Sequence, residues 1–203
     1  MSGNAFFVGD HAALDFLNTI AAPRGEEIEF IADGRAFLAW LVDAGLLGID
    51  ERRALETKFG KTGLDRVAND ARKLREWFRQ LIAKPIGAKA MRSLSSLETI
   101  TTLNEILAMG STHRVLEADA KRLVLREWRD YTNARQLLVP VAEAISELLT
   151  TEEHSLIKRC ANPNCTMWFY DRTKAHSRLF CSAAVCGNRA KVAAFRERQR
   201  LAK

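Results

Sequence analysis

The strongest periodicity in the chain lies between Thr62 and Ala83, where Leu64, Val67, Ala71, Leu74, Phe78 and Leu81 recur every three or four residues. That period puts them on one face of an α-helix. Pro85 predicts its stop, because a proline inside a helix removes a hydrogen bond and clashes with the preceding turn. "GRAFLAWLVDAGLL" predicts a second helix, with Phe37, Leu38, Leu41 and Leu46 inward and Gly45 near its end. "SLETITTLNEILAMG" predicts a third, with Ser95 and Glu98 at capping-box spacing and Gly110 suited to the C-terminal cap. A further helix runs from about Asn133 to Leu149. Pro140 within it leaves two readings, a start at the proline or a kink. "AFFVGDHAALDFLNT" reads as an apolar segment, a Gly-Asp turn and a mixed stretch of undetermined type.

Elsewhere the period shortens to two. "EEIEFI" alternates as a short strand would. In "THRVLEADAKRLVLREWRDY", Val115, Leu123, Leu125 and Trp128 surround a polar "EADAK", which predicts a hairpin without the Asn-Gly pair of the tightest loops. Polar "TTEEHS" marks a boundary. The expected fold class is α+β, mainly α. A multihelical domain with a small β-hairpin or sheet spans 1–153, and a smaller C-terminal module spans 154–203.

Composition changes this picture little. Of 203 residues, 47% are hydrophobic and 28% charged, so a packed core is expected rather than disorder. Charges break every apolar run well short of the roughly 20 residues a membrane span needs. The start lacks a basic segment followed by a long apolar one. The expectation is a cytoplasmic protein with no membrane partner and with reduced thiols.

Charge changes it more. The net charge is +6, but Lys158 to Lys203 hold eleven lysines and arginines against only Asp171 and Glu197, a net of +9. The remainder nets −3. A near-neutral body carrying a basic module implies a polyanionic partner.

All four cysteines lie in that module. Cys160, Cys165, Cys181 and Cys186 form two C-x4-C pairs separated by 15 residues. Paired thiolates on short loops suit a tetrahedral Zn²⁺ site, and the Asn162-Pro163-Asn164 turn supplies the bend for the first loop. Disulfides and unrelated buried cysteines are the competing readings. A reducing compartment disfavours the first, and the equal spacing disfavours the second. Four thiolates would fill the coordination of one zinc ion and leave no open position, so the site would be structural, in a zinc-ribbon or treble-clef-like module. Zinc and four thiolates together carry −2, which lowers the module to about +7. Between the pairs, "MWFY" and "RLFC" are expected to run out and back as a hairpin around "DRTKAHS".

Beyond Cys186, "GNRAKVAAFRERQRLAK" has good helix formers and no proline. On a helix, Arg189, Arg196, Arg200 and Lys203 share one stripe and Lys191 and Arg198 a second, while Val192 and Phe195 are placed to pack toward the hairpin. Such a helix has the shape to enter a major groove or follow phosphates; the competing reading is a solvated tail.

The quoted cysteine loops resemble the CGNR zinc-finger family, named for the residues found here as Cys186-Gly187-Asn188-Arg189. "HAALDFLNT" resembles the start of the ABATE domain that accompanies this finger in bacterial proteins. The resemblance implies a transcription regulator, described as stress-induced, with a helical N-terminal domain and a DNA-contacting zinc module. It makes Cys160, Cys165, Cys181 and Cys186 the ligands of one Zn²⁺ and draws attention to Asn188 and Arg189.

For Asn188, two readings stand: contact with an adenine edge, or a cap tying the zinc loops together. Arg189 suits a phosphate or guanine, or else an ion pair with Asp171 or support for the thiolates. Trp168, Phe169, Tyr170 and Phe180 can stack on bases, but their alternation favours a small core. Asp15 and Asn18 can line a small-molecule pocket, against a preferred role as helix caps or turn ties. The four histidines show no metal spacing, and no G-x-S-x-G, H-E-x-x-H or phosphate loop is present, so no enzyme is expected.

The expected function is DNA binding by a zinc-stabilised module. Arg172, Lys174, Arg178, Arg196, Arg198 and Arg200 would meet phosphates, and Asn188, Arg189 and Lys191 would stand near bases. The N-terminal domain would sense an effector or form a homodimer. The rivals are a protein–protein adaptor, an RNA binder and a redox switch that ejects zinc on oxidation.

Overall fold

Local sequence signals account for most of the element boundaries in the computed structural model, which describes residues 5–22, 26–83, 95–151 and 153–201. Helix α1, Ala12–Leu17, resolves the undetermined N-terminal stretch. His11 caps it, its Nδ1 accepting the Ala13 N–H at 3.2 Å. Two-residue strands β1 (Ile20–Ala21) and β2 (Ile28–Glu29) pair antiparallel, as the alternation in "EEIEFI" suggested. Helix α2, Gly34–Asp43, buries Phe37, Leu38 and Leu41 completely, while Leu46 is half-buried. Gly45 ends α2 at φ +70°, where a side chain would be strained, and Leu46 N–H closes back on the Leu41 carbonyl at 2.9 Å.

Helix α3 is longer than the periodicity indicated. It runs Ile49–Ile82 with a break at Gly60 (φ 60°, ψ 175°), so the predicted helix is its second half. The first half, rich in exposed charges, has too weak an apolar stripe to stand out. Pro85, the expected stop, lies outside the described residues. Gly34, at the start of α2, lies against α3 so closely that a Cβ would sit 2.3 Å from the Leu64 carbonyl carbon. Helix α4, Leu97–Leu107, is capped by Ser96 rather than Ser95: the Ser96 Oγ accepts the Thr99 N–H at 3.2 Å. A 3₁₀ turn, Ala134–Leu138, leads into helix α5, Val139–Thr151. Pro140 therefore stands at the start of α5, where its missing N–H costs nothing.

Helices α1, α2, α3 and α5 enclose the main core, with Phe16, Phe37, Trp40 and Phe78 buried in it. Arg75 of α3 is buried among them and pairs bidentately with Glu29 of β2, at 2.8 and 2.6 Å, while donating to Thr19 Oγ1 at 2.8 Å. That guanidinium ties the small sheet to the helices.

The predicted hairpin is present but longer than expected. Strand β3, Thr112–Asp119, pairs with β4, Arg122–Arg129, through eight residue pairs, so "EAD" belongs to the strand and only Ala120-Lys121 form the turn. Ala120 takes φ 29°, a left-handed conformation that opposes its Cβ. Ala120→Gly should therefore stabilise the protein by about 1 kcal/mol in urea denaturation.

Strands β5 (Ile157–Arg159) and β6 (Trp168–Tyr170) form the third two-stranded sheet, and helix α6, Asn188–Leu201, follows. "MWFY" pairs with the segment before Cys160, not with "RLFC" as expected; the register is Ile157 with Tyr170 and Arg159 with Trp168. The tight "CANPNC" turn brings its own two flanks together before the longer loop can do so. Ile157, Trp168 and Tyr170 join the main core, so residues on both sides of the expected boundary share one interior.

Candidate metal centre

The first sulfur pair sits on a turn fixed by its asparagine. Asn162 Oδ1 accepts the Asn164 N–H at 3.1 Å, and the Asn162 carbonyl accepts the Cys165 N–H at 2.9 Å. Pro163 between them restricts φ. The second half approaches through Ala161 N–H to the Leu179 carbonyl, 2.8 Å. After Cys181, Ser182 caps a π-helical turn, Ala183–Gly187, its Oγ accepting the Val185 N–H at 3.2 Å. Cys186 lies in that turn, and α6 begins two residues later.

The four Sγ atoms converge to within 4.8 Å of one another, and all four cysteines are buried. Cys165–Cys181 and Cys181–Cys186 stand 3.7 and 3.6 Å apart. A disulfide would be about 2.05 Å long. A tetrahedron of about 2.3 Å zinc–sulfur bonds has edges of about 3.8 Å, so the spacing fits zinc and excludes a bonded pair. The chemistry agrees. Hydrogen bonding from Cys181 pulls the Cys165 thiol down to about 5, and the same contact, with burial, pushes Cys181 up. Burial pushes Cys186 up to about 11. So many sulfurs together cannot all ionise without a cation to offset their charge. The site holds a single structural zinc ion on four cysteines, in a zinc-ribbon-like module.

Apolar residues surround the sulfurs on the body side: Ala21, Met167 and Phe169 are buried, and Phe6, Val8 and Phe30 pack on them. Phe169 faces the cysteines while Trp168 and Tyr170 face the main core, so β6 is covered on both sides. These aromatics are core residues, unable to stack on bases. Beside them, Asp171 is fully buried. Burial would raise its pKa, but Lys158 Nζ at 2.7 Å and Thr173 Oγ1 at 2.6 Å, with the Thr173 and Arg178 N–H groups, hold it well below the usual range. Lys158, not Arg189, is thus the partner of Asp171.

Asp15 and Asn18 serve this junction; both are buried. Asn18 Nδ2 donates to the Trp168 carbonyl at 2.9 Å, and its Oδ1 accepts the Trp168 N–H at 2.8 Å, so the side-chain amide acts as one more strand beside β6. Asp15 Oδ1 accepts the Gly9 N–H at 2.8 Å, and the Gly9 carbonyl accepts the Tyr170 N–H at 2.8 Å. Burial pushes the Asp15 carboxyl up to about 6 against the pull of the Gly9 and Val8 N–H groups. Where a pocket lining was one expectation, these polar atoms are bonded to the backbone of the N-terminal segment and of β6.

The family described as "Putative stress-induced transcription regulator" (ABATE) matches residues 10–152, and the CGNR zinc finger matches residues 157–199. The chain is an ABATE-family protein with a C-terminal CGNR finger. A search of the curated proteins found no match. The short N-terminal ABATE motif, "HAALDFLNT", thereby gains a physical role, since its Asp15 and Asn18 fasten the finger to the helical body.

Within the finger, the basic residues divide into two groups. Arg178 was expected on phosphates. Its guanidinium instead lies inside the junction, 4.3 Å over the Phe169 ring, donating to the Cys181, Phe180 and Val8 carbonyls at 2.6, 3.0 and 3.2 Å and pairing with Asp10. Arg172 is exposed, stacks 4.9 Å over Tyr170 and donates to the Asp10 carbonyl at 3.1 Å. Lys174 is exposed on the loop. Asn188, Arg189, Lys191, Arg196, Arg198 and Arg200 all lie exposed on α6, which buries no residue, while Lys203 lies outside the described residues. Ser182, not Asn188, provides the cap beside the zinc turn. Val192 and Phe195, expected against the hairpin, are 42% and 57% exposed. Among the described residues no helix is long and apolar enough to cross a membrane.

Proposed function

We propose that this ABATE–CGNR protein is a DNA-binding transcription regulator whose zinc ion fixes the direction of α6. One observation carries the reading. A 14-residue helix starts beside the last sulfur ligand, buries none of its residues, and presents arginine or lysine at 189, 191, 196, 198 and 200. A helix that does not pack gains its purpose from a partner, and this one fits a polyanion. Phosphate contacts come from Arg196, Arg198, Arg200, Lys174 and Arg172. Base contacts come from Asn188, Arg189 and Lys191, at the end of the helix that zinc positions most closely.

Selection from random duplexes with the zinc-loaded protein tests this, followed by affinity against salt. An enriched motif and a steep loss of affinity with salt are expected. Reversing Arg196 and Arg200 to glutamate should weaken binding by roughly a hundredfold or more without loss of zinc, because two counterion-releasing contacts become repulsive. Unchanged affinity would remove α6 from the interface.

Exposed Val192 and Phe195 favour a second reading, in which α6 docks on an acidic protein as an adaptor. The same selection separates the two, since an adaptor enriches no duplex sequence. On the regulator reading, a small-molecule effector enters the apolar groove between α4 and α5, lined by Thr99, Ile100, Leu103, Leu107 and Leu149. Filling that groove with Ile100→Trp should abolish an effector's influence on DNA affinity and leave the basal affinity in place.

A further inference from the structure

Folding of the finger leaves two large apolar side chains of α6 in water. Val192 and Phe195 are 42% and 57% exposed and belong to neither core. At 100° per residue they share a stripe about 60° wide with Asn188 and Gln199, at intervals of four, three and four residues. The cations stand on both shoulders of that stripe, roughly 70–110° from its centre. Arg189, Arg196 and Arg200 lie on one side, Lys191 and Arg198 on the other. Ala190 and Glu197 lie on the opposite face. Ala190 alone is half-buried among the described residues of the helix, so the stripe faces away from the finger.

A face with cations along both margins fits a channel walled by two rows of anions. The major groove of a duplex is such a channel, about 12 Å wide against a helix about 10–12 Å across. An anionic membrane offers charge and apolar contact too, as does an apolar groove in an acidic protein. Either would bury the amides of Asn188 and Gln199, which lie in the same stripe, without partners. Base edges supply those partners. Asparagine and glutamine pair bidentately with adenine N6 and N7, and apolar side chains pack on the thymine methyl.

We propose that Asn188, Val192, Phe195 and Gln199 form the base-reading face of α6 and select A·T pairs in a major groove whose phosphates the two shoulders hold. The inference rests on the DNA reading above and adds to it a sequence preference and three base-facing residues beyond Asn188. From Asn188 to Gln199 the face runs about 16 Å, some five base steps. Arg189 and Lys191 flank its zinc-proximal end.

The test is selection from random duplexes with the zinc-loaded full chain, as wild type and as Asn188→Ala, Phe195→Ala and Gln199→Ala. All three side chains are exposed, so the variants should fold and keep zinc, which circular dichroism and metal content verify. Wild type should enrich a core of about four or five A·T pairs, bound about tenfold or more tighter than a G·C-rich duplex. Each variant should relax the preference at its own position and keep the wild-type salt dependence, because the phosphate contacts are intact. Uracil for thymine opposite Phe195 removes only a methyl; it should weaken wild type about fourfold and leave Phe195→Ala indifferent. A G·C-rich motif, or one that all three variants read unchanged, overturns the proposed face and leaves the DNA reading standing. Salt-sensitive duplex binding with no motif also overturns it. Absence of duplex binding overturns both readings and assigns the stripe to an acidic protein or, if the chain sediments with phosphatidylserine vesicles, to a membrane surface.

Discussion

Removing zinc with a strong chelator should unfold more than the finger. The four sulfurs are enclosed by Phe169 and Met167 from the finger and by Ala21, Phe6 and Val8 from the body, while Trp168 and Tyr170, on the other face of β6, are part of the main core. Structural zinc supplies on the order of 10 kcal/mol to a small site, which equals the whole stability of an ordinary domain. Without the ion, four crowded sulfurs repel or must protonate, β5 and β6 lose their anchor, and the core loses two aromatic walls. The expected outcome is release of one zinc per chain, a fall in thermal midpoint of more than about 20 °C, and a shift in tryptophan fluorescence reporting exposure of Trp168. Cys181→Ser should behave the same way. A metal-free protein that melts within a few degrees of the loaded one would show that the body holds β6 unaided.

Asn18→Ala should be among the more damaging polar substitutions outside the sulfur ligands. It deletes both hydrogen bonds to the Trp168 backbone, 2.9 and 2.8 Å long, in a place where Asn18 and Trp168 are buried and water cannot replace the amide. Leaving a buried N–H and a buried carbonyl unpaired costs about 1–3 kcal/mol for each group. A loss of roughly 3 kcal/mol in urea denaturation is expected, with the zinc stoichiometry unchanged because no ligand moves. Asn18→Asp should be no better, since it keeps an acceptor for the Trp168 N–H but sets a carboxylate against the Trp168 carbonyl. A loss below about 1 kcal/mol would mean that solvent reaches the junction.

The sulfur site was legible in advance because coordination chemistry constrains spacing: two cysteine pairs on short turns have few other uses. Helical faces were legible wherever an apolar stripe stood out, as in the second half of α3, whereas its first half has too few buried residues to mark a face. Partners across the fold were not legible. "MWFY" announced a strand, but a strand buried on both faces reads the same whatever covers it, and only the folded chain puts zinc on one side and α1 on the other. Arg178 looked like one more surface arginine because its acceptors are mostly main-chain carbonyls, which leave no trace in side-chain identity. Asp15 and Asn18 did leave a trace: two polar residues three apart among apolar neighbours share a helix face and need polar company. The sequence could not say that this company would be the backbone of Gly9 and Trp168.

Helix α6 buries none of its residues among the described ones. From Lys191 onward its exposed side chains therefore answer mainly to helix propensity and to whatever the helix meets. Replacing Lys191 or Arg198 with another good helix former leaves folding free energy essentially untouched, whereas the same freedom at Trp168 or Asn18 does not exist. Recognition and foldability are thus separable in this chain. On the proposed reading, a new target would be acquired by exchanging the exposed residues of α6 while the scaffold that aims them stays constant.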